Sequence, residues 1–309
     1  MQHVSRESEA PMGEISDALK RARREGAAPA EPARQPEERE PVETTYRDAL
    51  AQEPPPPPGT EGPPVEIPEN GSATGFGRRV LSQPHGPVSE HYRHFAIRLN
   101  RSLKEVGGRS VIITSASRAE GKTTTSCNLA LALASVAGGR QVALLELDIR
   151  RPSISEELAV QARVGVEAVL AGESTLAEAC LPTNVPDLDL YIVNRPESEA
   201  LLRLSSPALA GMLRDLRRRY DLIVVDSPPV LPVPDVPLIL SHVDAAVVVA
   251  RVGVTRRAAF QDMLEILGNE KILGVFLNQS GLPRHSRYYG YDSYGPATAE
   301  GGGQEEPAR

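Results

Sequence analysis

Residues 111–125 read Val-Ile-Ile-Thr-Ser-Ala-Ser-Arg-Ala-Glu-Gly-Lys-Thr-Thr-Thr. A β-branched run stops at small polar residues, a short loop reaches Gly121-Lys122-Thr123, and Asn128, Leu129, Leu131, Ala132 and Leu133 follow in a helical pattern. A strand that turns into a helix through such a loop aims backbone N–H groups at whatever sits before the helix, which suits a polyphosphate. Lys122 adds a point charge, and the Thr123 hydroxyl is a Mg²⁺ ligand in this pattern. A side chain at Gly121 would hold the backbone away from the phosphates. The candidate nucleotide contacts are therefore Ser117, Arg118, Ala119, Glu120, Gly121, Lys122, Thr123 and Thr124. The full spacing G-x-x-x-x-G-K-[ST] wants glycine at 116, where the chain has Ala116. The tripeptide alone recurs by chance and fits an ordinary helix start bearing an exposed lysine better than a nucleotide site.

Two acidic strand ends shift that balance. The run at 142–148 is nearly all apolar and carries Glu146 and Asp148 at its end, and the run at 221–226 ends in Asp226 before Ser227-Pro228-Pro229. Open α/β sheets bind ligands at the C-terminal ends of their strands. A carboxylate there can hold Mg²⁺ directly or through water, or orient an attacking hydroxyl. Arg150, just beyond Asp148, is a candidate for neutralising phosphate charge. Further strands are predicted at 188–193, 245–250 and 272–278. Helical patterns occur at 165–170, 175–180, 207–219 and 255–267, and Ser89 is placed to cap a helix carrying Tyr92, Phe95, Ala96, Leu99 and Leu103. Alternating strands and helices predict an α/β fold, a doubly wound, mostly parallel sheet with right-handed crossovers, of the P-loop NTPase kind.

The flanks differ in composition. About half of the 28 prolines precede residue 88, among them the run at 54–58. Such a stretch buries too little apolar surface to offset its ordering entropy, so 1–86 is expected to be a disordered arm and 87–282 the folded domain. Within the arm, Ile15, Ala18, Leu19 and Ala22 share one helical face amid Lys20, Arg21, Arg23 and Arg24, a short basic amphipathic segment at 13–25. It suits docking to a partner or an anionic membrane surface, or equally a frayed helix. The tail, 283–309, holds Tyr288, Tyr289, Tyr291 and Tyr294, four of the eight tyrosines, spaced by glycine. Tyrosines that cannot join a core point to chemical or binding use.

The net charge of −7 argues against a nucleic-acid binder that relies on its overall field. The two cysteines, Cys127 and Cys180, lack metal-ligand spacing and are read as free thiols in a reducing compartment. The polar N-terminus and the lack of any apolar run near about 20 residues predict a cytoplasmic chain.

Residues 87–295 resemble the bacterial tyrosine kinases of polysaccharide synthesis, cytoplasmic autokinase type, which are relatives of the MinD/ParA ATPases. The matching motifs are Glu120-Gly121-Lys122-Thr123-Thr124 in the phosphate loop and Glu146-Leu147-Asp148-Ile149-Arg150-Arg151-Pro152 at the second strand. Asp226-Ser227-Pro228-Pro229 and the tyrosine tail complete the set. The resemblance implies ATP and Mg²⁺ as cofactors, with Lys122, Glu146, Asp148 and Asp226 as catalytic residues. It implies Thr123, Asp148 and Asp226 as metal ligands, Asn278 near adenine, and the tail tyrosines as phosphate acceptors. It also implies a membrane-embedded polysaccharide co-polymerase that activates the kinase at the membrane's inner face, a cognate tyrosine phosphatase, and a homo-oligomeric ring.

The chain departs from the family pattern at several places. Glu146 stands where the family has aspartate, and Arg118-Ala119 replaces the usual Pro-Gly. The subunit-contact pattern E-x-x-R-x-x-R is present only as Glu90 and Arg93, with Arg98 displaced. These departures leave two rivals, a MinD/ParA-like ATPase switch and a non-catalytic nucleotide-binding regulator.

Overall fold

The computed structural model describes residues 63–69, 78–136 and 138–279. The basic segment at 13–25, the proline run and the tail tyrosines lie outside the described residues. In chain order the strands are β1 (Ser110–Ser115), β2 (Val142–Glu146), β3 (Leu181–Pro182), β4 (Leu188–Tyr191), β5 (Leu222–Asp226), β6 (Ala245–Arg251) and β7 (Ile272–Asn278). They form one 7-stranded sheet in the order β3-β4-β2-β5-β1-β6-β7. Every pairing is parallel except that of β3 with β4. Strands β1, β2 and β5 are buried at every position, which explains their near-continuous apolar runs.

The helices are α1 (Arg79–Ser82), α2 (Pro87–Glu105), α3 (Lys122–Val136), α4 (Ile154–Leu158), α5 (Val166–Ala171), α6 (Ala200–Leu204), α7 (Pro207–Arg219), α8 (Asp235–His242) and α9 (Arg257–Leu267). Alternate residues of each strand feed two cores. Ile112, Leu145, Val225 and Val248 face the layer that holds α5 to α9. Val111, Ile113, Leu144, Val224 and Val247 face the layer that holds α1 to α4. Helix α3 is apolar nearly all round because it lies between the sheet and α2, with Cys127 and the residues from Leu129 to Leu133 fully buried.

Several boundaries differ from the sequence expectation. Ahead of residue 87, where an unstructured arm was expected, Val65 makes a parallel bridge to Thr183 and Ile67 is fully buried. Arg78 is also buried and donates to the Pro68 carbonyl at 3.1 Å. A few apolar residues suffice to dock these pieces onto a face already built by α2 and α3. Ser89 does not cap α2, whose first residue is Pro87 after Gly86. Its hydroxyl instead donates to the carbonyls of Gln83 (2.6 Å) and Arg79 (3.0 Å), which joins α1 to α2. Residues 175–180 form turns rather than a helix. Helices α1, α4, α6 and α8 and the edge strand β3 were not anticipated; apart from the eight-residue α8, each has too few residues to display a period. No helix among the described residues is long and apolar enough to cross a membrane.

Candidate active site

The sheet's order places β1 between β5 and β6, so the connections leaving β1 and β6 diverge and open a crevice at the strand ends. A cleft of about 2080 Å³ opens here. Arg118, Ala119, Gly121, Lys122, Thr123, Thr124, Asp148, Arg150 and Asn278 line it. Ser117, Glu120, Glu146 and Asp226 do not.

Strand pairing sets the acidic residues. Ile113 on β1 is the register partner of Asp226 on β5, and Glu146 on β2 is the partner of Asp226 on the other side. Asp226 is fully buried, with Oδ2 accepting from the Thr123 hydroxyl at 2.9 Å and Oδ1 from the Ser126 hydroxyl at 2.8 Å. Burial raises its pKa to about 6, and the Lys122 ammonium limits the rise. Asp148, 9% exposed at the cleft, is also raised by burial and opposed by Lys122. Lys122 itself is 8% exposed, so one cation is set against two carboxylates where little water reaches. A hydroxyl and two carboxylates form a hard oxygen donor set, which fits Mg²⁺.

Four expected contacts have other duties. Glu146 is fully buried and saturated by backbone: Oε1 accepts from Ser153 N–H (2.6 Å) and Ile154 N–H (2.9 Å), and Oε2 from Val193 N–H (2.9 Å). It anchors the start of α4 and the segment just past β4 and does not line the cleft, so the extra methylene relative to aspartate serves reach. Burial raises its pKa to about 7 against the pull of those three donors. Arg150 forks onto buried Asp235 at 2.7 and 3.1 Å, which ties the loop after β2 to the start of α8. Glu120 is buried, with Oε2 accepting from Ser117 N–H (2.9 Å) and Oε1 from the Thr255 hydroxyl (2.5 Å). Asn278 donates to the Glu120 carbonyl at 2.9 Å, so it braces the phosphate loop. A Cβ at Gly121 would stand 2.0 Å from Asn278 Nδ2, and φ there is +91°. The glycine is needed by the protein's own packing as well as by any phosphate.

Glu90 and Arg93 pair with each other within α2, and Arg93 also donates to the Pro84 carbonyl at 2.6 Å. Ser126, Ser153 and Arg251 were missed. Ser126 is three residues beyond Thr123, hence on the same helix face. Ser153 donates to the Thr123 hydroxyl at 2.9 Å. Arg251 ends β6 with no sequence mark beyond its charge.

A phosphate loop on β1, an acid at the end of β5 beside it, and a helix running back from the loop define a P-loop nucleotide-binding domain. A family profile described as an AAA domain matches residues 110–265. The chain is 30% identical over 211 residues to the tyrosine-protein kinase YwqD of Bacillus subtilis, a match covering 68% of this chain and 88% of that protein. It is 28% identical over 222 residues to the succinoglycan biosynthesis transport protein ExoP of Rhizobium meliloti, covering 70% of this chain but only 28% of that longer protein. Among solved structures it is similar to the kinase domain of VpsO, with 31% identity and a TM-score of 0.56 over 62% of this chain and 95% of that one. This chain belongs to the bacterial tyrosine-protein kinases.

Proposed function

We propose that the chain transfers the γ-phosphoryl group of ATP to tyrosine hydroxyls, and that Tyr288, Tyr289, Tyr291 and Tyr294 of its own tail are acceptors. The observation that carries this reading is that Lys122, Thr123 and Asp148 line one cleft, with buried Asp226 bonded to the Thr123 hydroxyl behind it. The backbone of residues 117–124 would hold the β- and γ-phosphates, with Lys122 on the transferring group. Thr123, Asp148 and Asp226 would hold Mg²⁺, which supplies charge neutralisation across those phosphates when bound. Asp148, at the cleft surface, is the carboxylate placed to orient an incoming hydroxyl. In the transfer the tyrosine oxygen forms a bond to the γ-phosphorus as the bond from that phosphorus to the β–γ bridging oxygen breaks and the hydroxyl proton passes to the Asp148 carboxylate, leaving ADP. Catalysis comes mainly from positioning and charge neutralisation.

The family of the chain, together with a relative named for succinoglycan biosynthesis transport, supports a role in exopolysaccharide synthesis or export. The partners in that role would be a membrane-embedded co-polymerase that activates the kinase and a tyrosine phosphatase that resets it, with homo-oligomers controlled by repulsion between tail phosphates. Incubation of the full chain with γ-labelled ATP tests the reading. Label should appear on the tail peptide, should be lost in Lys122→Met, and should fall sharply when all four tail tyrosines are Phe. Label unchanged by either substitution would overturn it, and ATP turnover without phosphotyrosine would point to a switch ATPase.

A further inference from the structure

Ala119 lies inside the phosphate loop with φ at +60°, the left-handed region that favours glycine. Something must hold an L-residue there. Arg251 is the group placed to do so. Its Nη1 donates to the Ala119 carbonyl at 3.0 Å, while its Nε donates to Gln279 Oε1 at 2.8 Å, so the planar guanidinium is fixed at two points. Among the described residues no carboxylate lies within ion-pair distance of Arg251. Among the described residues the charge-assisted bond to Ala119 therefore competes with no ion pair.

The same turn holds the other side of the loop. Arg251 N–H donates to the Thr255 hydroxyl at 2.8 Å, and that hydroxyl donates to Glu120 Oε1, whose partner oxygen takes Ser117 N–H. The peptide after Ala119, and the Ala116–Ser117 peptide further upstream, are thus tied to the end of β6 and the turn that follows it.

We propose that Arg251 is a positioning residue that keeps Ala119 left-handed and so gives the phosphate loop its binding geometry, a task that glycine at 119 would perform unaided. This rests on the reading that residues 117–124 take ATP. The test is a double-mutant cycle on the full chain, with MgATP affinity measured by calorimetry in the parent, Arg251→Ala, Ala119→Gly and the double variant. Arg251→Ala should weaken MgATP about tenfold in the parent but less than about threefold once Ala119 is Gly. Arg251→Lys, which keeps the charge but cannot bridge Gln279 and Ala119, should behave like Arg251→Ala. An equal loss in both backgrounds would overturn the proposal, because Arg251 would then act on the nucleotide directly. Full affinity in Arg251→Lys would overturn it too, by showing that charge alone suffices. A parent chain that binds no MgATP is a different failure, one that removes the nucleotide reading itself.

Discussion

Thr123 and Asp226, 103 residues apart in the chain, are joined by a 2.9 Å hydrogen bond from the first turn of α3 to the end of β5. The bond sets the one hydroxyl of the loop that a metal would need against the carboxylate that would share it. Asp226→Asn should keep the fold, because an amide can still bond Ser126 and the Lys122 ammonium keeps Asp148 as a partner. It should weaken MgATP by about 100-fold while changing metal-free ATP far less. Calorimetry with magnesium and with EDTA separates the two; equal losses in both would remove Asp226 from the metal site.

The same carboxyl makes stability and binding respond to pH with opposite signs. Its pKa is raised by folding to about 6. Its contribution to stability is therefore fully present below the unfolded value, near 4, and is lost as pH rises through about 6. Metal binding needs the ionised form and should strengthen over that same rise. Chemical denaturation and MgATP titrations between pH 4.5 and 7.5 should show the opposed slopes, and Asp226→Asn should reduce both.

Gly121→Ala should be among the most damaging single-methyl changes available. The added carbon meets Asn278 Nδ2 at 2.0 Å, and the backbone is already at φ +91°. Asn278→Ala removes the obstruction but leaves the φ strain, so it should recover only part of the lost ATP affinity. Full recovery would mean that the steric clash was the whole effect.

The fold was legible because parallel strands buried on both faces must be written as apolar runs, and β1, β2, β5 and β6 all are; edge strand β7 is as apolar although Val275 and Leu277 are exposed. The site's skeleton, Lys122, Thr123, Asp148 and Asp226, was legible for a related reason: strand ends carry few polar residues, so those present stand out. What stayed hidden is which partner each polar group takes. Glu146, Glu120, Arg150 and Asn278 have the right types in the right places for a nucleotide site, yet their hydrogen bonds go to protein groups, some nearby in the chain and some from distant segments. Sequence spacing carries no record of Val193 N–H reaching Glu146, or of Asp235 reaching Arg150. Short packed pieces such as α1 and residues 63–69 were hidden because a single buried Ile67 or Val80 has no periodicity.

Glu146→Asp restores the family residue, and simple resemblance would expect it to raise the rate. The geometry predicts the reverse benefit. A carboxylate one methylene shorter cannot keep all three backbone donors from Ser153, Ile154 and Val193, so unfolding in urea should show a loss of about 1–3 kcal/mol. The phosphorylation rate per folded molecule should not increase. A rate gain would place the carboxylate at the chemistry after all.

Arg150 offers the sharpest division between a structural and a phosphate-binding role. Asp235 is 1% exposed and its carboxylate takes both donors of the Arg150 fork. Arg150→Ala strands that carboxylate in the protein, which should cost about 3 kcal/mol of stability. Adding Asp235→Asn removes the stranded charge and should recover more than half of the loss, as read by urea midpoints at constant m-value. MgATP affinity should change by less than about threefold throughout, since the guanidinium is committed to Asp235 rather than to phosphate. If Arg150→Ala weakens MgATP by tenfold or more and Asp235→Asn does not restore stability, the fork is incidental and Arg150 is a phosphate ligand.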